Sequence, residues 1–149
     1  MNDAKPVDLL LVEDNPQDLE LTLRALRKAK VANHIQVARD GEEALNLIFG
    51  GNRDGPALET GLPRVVLLDL KLPKIDGLEV LRRLKADPRT HAMPVVMLTS
   101  SKEQCDLVES YRLGVNSYIV KPVDSEGFLN AVRDLGLYWL LLNQPPTAC

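Results

Sequence analysis

Two apolar runs in this chain finish in carboxylates: Asp8-Leu-Leu-Leu-Val leads into Glu13-Asp14, and Arg64-Val-Val-Leu-Leu leads into Asp69. Runs this short and this apolar read as buried strands. Side by side in a parallel sheet, they bring Glu13, Asp14 and Asp69 together at one edge. Like charges at that range repel, and need either a cation among them or raised pKa values. A hard divalent ion held by oxygens, usually magnesium, is the ordinary answer. Two further runs end in Thr99-Ser100-Ser101 and in Lys121-Pro122. A nucleophilic carboxylate, supporting acids, a hydroxyl and an ammonium are the parts needed to move a phosphoryl group onto an acid. Such transfer is mostly positioning and charge neutralisation.

The elements that must position these residues follow from periodicity. Short apolar runs occur at Leu9–Val12, Ile35–Ala38, Val65–Leu68, Val95–Leu98 and Tyr118–Val120. Amphipathic helical patterns lie between and after them, at Gln17–Ala29, Glu42–Phe49, Leu78–Asp87, Glu103–Leu113 and Glu126–Leu142. Strict alternation predicts an α/β fold, a five-stranded parallel sheet wound on both faces by helices. In the second run, His34 and Gln36 alternate with Ile35 and Val37, which marks an edge strand with one wetter face. Asp14-Asn-Pro16 can open the first helix, Asp87-Pro88 stops the third, and Gly114 can supply a left-handed residue after the fourth. Ligands of such sheets bind beyond the carboxyl ends of the strands, where the acids, Thr99 and Lys121 fall.

Bulk properties narrow the field. A length of 149 residues and 45% hydrophobic content suit one domain with a real core. The net charge of −3 and the scattered Lys and Arg residues argue against a nucleic-acid face. Cys105 and Cys149 make no disulfide framework, so a reducing cytoplasm is expected. The polar start, Met1 to Pro6, is no signal peptide, and Leu137–Leu142 is too short to cross a bilayer. The segment Gly50–Pro63 is long for a connection and reads as an exposed loop.

Together the fragments Val12-Glu13-Asp14-Asn15, Leu68-Asp69-Leu70-Lys71-Leu72-Pro73, Asp76-Gly77, Leu98-Thr99-Ser100-Ser101 and Lys121-Pro122 resemble the receiver domain of two-component response regulators, the CheY-like family. The resemblance covers nearly the whole chain, 1–149, as a single receiver domain. It implies a flavodoxin-like sheet of order 2-1-3-4-5, with Asp69 as phosphoacceptor and a sensor histidine kinase as phosphoryl donor. It implies Mg²⁺ bound by Asp14, Asp69 and the backbone carbonyl of Lys71, with Glu13 helping. Thr99 becomes the switch hydroxyl, Tyr118 the coupled aromatic and Lys121 the phosphoryl partner. A cis bond at Lys121-Pro122 is common in the family. The protein is then a signalling phosphoacceptor that assists its own phosphorylation and dephosphorylation, not an enzyme acting on a separate substrate. Glu13 departs from the pattern, since many receivers carry Asp there.

Simpler readings stand beside these. Glu13-Asp14 also suits a helix N-terminus, where acids are favoured. Asp76-Gly77 reads best as a turn and helix start, Thr99-Ser100-Ser101 as an N-cap, and Tyr118 as a core aromatic. A phosphohydrolase of the haloacid-dehalogenase type also uses an aspartyl phosphate, but wants a second acid where Lys71 stands. A flavin carrier wants a phosphate-cradling loop after the first strand, where Asp14-Asn-Pro-Gln-Asp18 is acidic.

The end of the chain carries a separate signal. Phe128, Val132, Leu135 and Trp139 form one apolar stripe, yet Leu137–Leu142 is apolar all round. Contiguous exposed apolar surface marks an interface. The long middle loop and this ending resemble the single-domain response regulators that accompany bacterial phytochromes and related sensor kinases. That implies a stand-alone receiver without a DNA-binding output domain, a homodimer through the C-terminal half, and a bacterial phytochrome as one form of the kinase.

Overall fold

The computed structural model describes residues 9–29, 34–50, 62–99, 112–121 and 123–134, with side chains described as far as residue 130. Outside this set lie residues 51–61 of the long loop, most of the helix expected at Glu103–Leu113, Ser100, Ser101, Cys105, Cys149, Pro122 with its peptide bond, and the apolar end Leu137–Leu142.

Five strands form one parallel sheet: β1 (Leu9–Val12), β2 (Ile35–Ala38), β3 (Val65–Asp69), β4 (Val95–Thr99) and β5 (Ser117–Val120). Their order is β2-β1-β3-β4-β5, as the resemblance implied. The described helices are α1 (Pro16–Ala29), α2 (Gly41–Phe49), α3 (Gly77–Ala86) and α4 (Ser125–Asp134).

Every residue of β1, β3 and β4 is buried, because helices cover both faces of the sheet. Alternation along the strands then sorts their side chains into two cores. Leu9, Leu11, Val65, Leu67, Val96 and Leu98 pack with Leu19 and Leu26 of α1 and Phe128 of α4. Leu10, Val12, Val66, Leu68, Val95 and Met97 pack on the other face with Leu45 and Ile48 of α2 and Val80, Leu81 and Leu84 of α3. Each fully buried Leu or Val of this kind contributes about 1.5–3 kcal/mol. β2 is the expected edge, with Ile35, Gln36 and Val37 only half-buried.

Local chemistry sets the helix ends. The side chain of Asn15 accepts from the Asp18 N–H at 2.9 Å and caps α1. Asp40 accepts from Glu43 N at 2.7 Å, and Glu43 reaches back to Arg39 N at 2.7 Å, so α2 starts with reciprocal caps. Gly50 (φ 88°) ends α2 in the left-handed region, and Gly114 (φ 104°) takes the same conformation before β5.

Candidate functional site

The sheet ladder continues one residue past the strands and fixes where the site residues begin. Glu13 N donates to Ala38 O at 3.0 Å, Leu70 N to Leu98 O at 2.8 Å, and Lys121 N to Thr99 O at 2.7 Å. These bonds hold the backbones of Glu13, Asp69 and Lys121 at one edge, and their side chains meet beyond it.

Glu13 is fully buried and Asp69 nearly so, whereas Asp14 faces solvent. Carboxylate oxygens of all three lie within 4.8 Å of one another. Lys121 Nζ enters this group from β5. It donates to Asp69 Oδ2 at 2.9 Å and lies 2.8 Å from Glu13 Oε1. A third acid, Asp18 of α1, accepts from the same ammonium at 3.1 Å. The remaining Asp69 oxygen, Oδ1, accepts from the Lys71 N–H at 3.3 Å, which brings the Lys71 backbone against the acids. Glu13 Oε2 accepts from Asn15 N at 3.2 Å.

Burial, then the neighbouring Asp69 carboxylate, push the Glu13 carboxyl up to about 7, against the pull of Lys121. Burial alone would lower the Lys121 ammonium, but Glu13 and Asp69 hold it above its ordinary value. One lysine thus answers to several acids and cannot neutralise them all.

Two buried oxygens have no directed hydrogen bond among the described residues: Glu13 Oε1 and Thr99 Oγ1. The first has the lysine charge beside it but no aligned donor. A buried carboxyl oxygen without an aligned donor, in an all-carboxylate group, fits a hard divalent cation. The second belongs to a hydroxyl only 1% exposed, at the end of β4 next to the strand that carries Asp69. An unpaired buried hydroxyl costs about 1–3 kcal/mol, so an acceptor arriving near Thr99 is favoured.

The loop from Leu70 to Asp76 is held by what two glycines lack. A Cβ on Gly77 would collide with the carbonyl oxygens of Asp69 and Leu70, and one on Gly41 with that of Ile75. Gly77 N closes the loop by donating to Leu70 O at 3.2 Å. Lys74, in the left-handed region at φ 66°, ties the loop to α2 through Asp40 at 3.6 Å and Glu42 at 3.5 Å. Asp76 sits at the N-cap of α3 without a side-chain cap bond, so the turn-and-helix-start reading holds.

Of the residues singled out in the sequence, Glu13, Asp14, Asp69, Lys71 and Lys121 come together, with Thr99 at the adjoining strand end. Tyr118 stands apart, opposite Met97 in the β4–β5 register and 40% exposed. Asp18 escaped the sequence reading. An acid three residues after a capping Asn looks like an ordinary helix-start residue, and its lysine partner is distant in sequence.

Comparison with known proteins assigns the chain to a family. Residues 9–133 match the family described as the response regulator receiver domain. The probable methanogenesis regulatory protein FilR2 of Methanothrix harundinacea (strain 6Ac) is 42% identical over 144 residues, spanning 95% of this chain and 88% of that protein. The solved structure of the bacteriophytochrome response regulator AtBRR matches with a TM-score of 0.78 and 54% identity, covering 95% of this chain and 100% of its own. The phosphorylated cyanobacterial phytochrome response regulator RcpA matches at 0.72 and 36% identity, over 91% of this chain and 95% of that one. The Mn²⁺-bound form of response regulator Rcp1 matches at 0.70 and 34%, over 95% of this chain and 100% of that one. The chain belongs to the response regulator receiver domain family.

Proposed function

We propose that this protein accepts a phosphoryl group on Asp69 from the phosphohistidine of a sensor histidine kinase, in a reaction that needs Mg²⁺, and thereby changes its partners. The observation that carries this reading is the contact of Lys121 Nζ with Asp69 Oδ2 at 2.9 Å beside a cluster of three acids, two of them buried. Structures of a phosphorylated relative and of a Mn²⁺-bound one lend support.

Asp69 supplies the nucleophilic oxygen. Its carboxylate forms the new bond to phosphorus while the donor's P–N bond breaks and the electron pair leaves with the histidine. Lys121 moves with the charge, from the Asp69 oxygen to a phosphoryl oxygen. Glu13, Asp14, Asp69 and the Lys71 carbonyl are the groups that would hold the cation. When bound, it supplies charge compensation for the acids and for the incoming phosphoryl group. Thr99 donates its unpaired hydroxyl to the product. Its movement is coupled to Tyr118, whose exposed ring on β5 changes the surface offered to a partner.

The kinase is taken to be a bacterial phytochrome or a related sensor, on the strength of the similarity to AtBRR, itself a bacteriophytochrome response regulator. The protein works in the cytoplasm as a homodimer joined through its C-terminal half; no described helix is long and apolar enough to cross a membrane.

Incubation with acetyl phosphate and Mg²⁺ tests the central claim. Wild type should gain one phosphoryl group by intact mass, and Asp69→Asn should gain none. Labelling that survives in Asp69→Asn would sink the assignment. Light scattering at micromolar concentration tests the dimer, which a strictly monomeric mass refutes.

A further inference from the structure

Among the described residues, Asp18 is the one carboxylate at the site that neither receives the phosphoryl group in the proposed function nor belongs to the cation cluster. It sits in the first turn of α1, fixed by the Asn15 cap through its own N–H at 2.9 Å. Its Oδ2 accepts from Lys121 Nζ at 3.1 Å, close to the 2.9 Å of the Asp69 contact. The Lys121 side chain is 11% exposed, so water has little share of its ammonium. That ammonium is divided among Glu13, Asp69 and Asp18, which come from three separate elements of the chain.

We propose that Asp18 is a positioning residue that competes with the phosphoryl group for Lys121 and so restrains phosphorylation of Asp69. The inference rests on Asp69 being the phosphoacceptor, and deepens that reading.

With acetyl phosphate as donor, the Asp69 oxygen bonds to phosphorus as the P–O bond to the acetyl group breaks, and acetate leaves with the electron pair. Negative charge then grows on the phosphoryl oxygens, where Lys121 is needed. Asp18 holds the ammonium back toward α1 and adds its own repulsion to the incoming dianion. Asn at this position keeps an oxygen to receive the lysine but removes the charge. The position is retained and the competition ends. The same change strengthens the lysine's hold on Glu13 and Asp69, which should weaken cation binding there. A helix-start acid with a purely structural role predicts the reverse for the rate: a less stable protein that is phosphorylated no faster.

The experiment compares wild type, Asp18→Asn and Asp18→Glu in two measurements. The first is the rate of labelling by acetyl phosphate in saturating Mg²⁺. The second is Mn²⁺ affinity without any phosphoryl donor, read by the loss of free-ion paramagnetic resonance signal. Partly exposed charge pairs are worth up to about 1 kcal/mol, so Asp18→Asn should be labelled about fivefold faster. Its Mn²⁺ dissociation constant should rise by a similar factor, and Asp18→Glu should return both toward wild type. An unchanged or slower labelling rate in Asp18→Asn overturns the proposal, as does unchanged Mn²⁺ affinity. If wild type takes up no phosphoryl group, the phosphoacceptor reading fails instead, and the Mn²⁺ titration still decides whether Asp18 controls the lysine.

Discussion

Lys121 Nζ reaches Asp69 Oδ2 at 2.9 Å, joining the end of β5 to the end of β3 across the end of β4. The lysine is the counter-ion of the resting site, and in the proposed function it is also the partner of the phosphoryl group. Lys121→Ala should separate these roles. Breaking a buried pair costs about 3 kcal/mol, so chelator-treated Lys121→Ala should unfold at lower urea than wild type. Losing an electrostatic stabiliser typically slows chemistry about 100-fold, and labelling by acetyl phosphate should fall by that order. Added Mg²⁺ should recover part of the stability, since a ligand of the folded state stabilises by mass action. Urea titrations with and without Mg²⁺ check both statements.

Glu13 should trade stability for cation binding. Its side chain is fully buried, and its Oε1 lacks a directed donor among the described residues. Glu13→Gln removes a buried charge and should raise the melting temperature in chelator by a few degrees, on the order of 1 kcal/mol at this chain length. The same variant should bind Mg²⁺ at least about tenfold more weakly, which is 1.4 kcal/mol or more. Calorimetric titration beside thermal melts decides it; a variant that keeps full metal affinity contradicts the role.

Thr99 should be dispensable for folding and needed for signalling. Its hydroxyl is buried and unpaired among the described residues, so Thr99→Val should leave stability unchanged or raise it by about 1 kcal/mol. Asp69 should still be labelled in this variant. Partner affinity, measured by pull-down against the cognate kinase, should no longer respond to phosphorylation. A response of undiminished size would route the coupling elsewhere.

Gly77 and Gly41 should be intolerant of any side chain, since a Cβ at either would meet a backbone carbonyl of the strand end or loop beside the acids. Gly77→Ala should cost about 3 kcal/mol or more, the range set by core overpacking and strain. It should also weaken Mn²⁺ binding, because the carbonyl it strikes belongs to Asp69. Lys74→Ala, which loses only the ion pairs of a solvent-exposed ammonium, should leave stability close to that of wild type. Paired urea melts and Mn²⁺ titrations of Gly77→Ala and Lys74→Ala give the ranking.

Much of this was legible in advance for a physical reason. A doubly covered parallel sheet needs unbroken apolar strands, so Val65–Leu68 and Val95–Leu98 announce themselves, and each observed strand extends the run by one residue to a polar end, Asp69 and Thr99. Ser117 adds to β5 at its start in the same way. Residues at strand ends inherit their position from the backbone, which is why Lys121 could be placed beside Asp69 from order alone. Burial of neighbours was not legible. Glu13 and Asp14 adjoin in sequence, yet one is enclosed and the other exposed, because their side chains leave the chain in different directions. Asp18 was missed since its role depends on a lysine brought close only by the fold.

The alternation of side chains in β1, β3 and β4 makes the sheet a party wall between two cores. Thr99 follows Val95 and Met97 in the row that faces α2 and α3, and not the row that faces α1 and α4. Whatever displaces Thr99 therefore presses on one side of the wall. The α1 side, where Asp18 anchors the lysine, can keep its shape while the opposite side is remodelled. A change at Thr99 is in this way free to alter one face of the sheet while the face that carries Asp18 stays as it is.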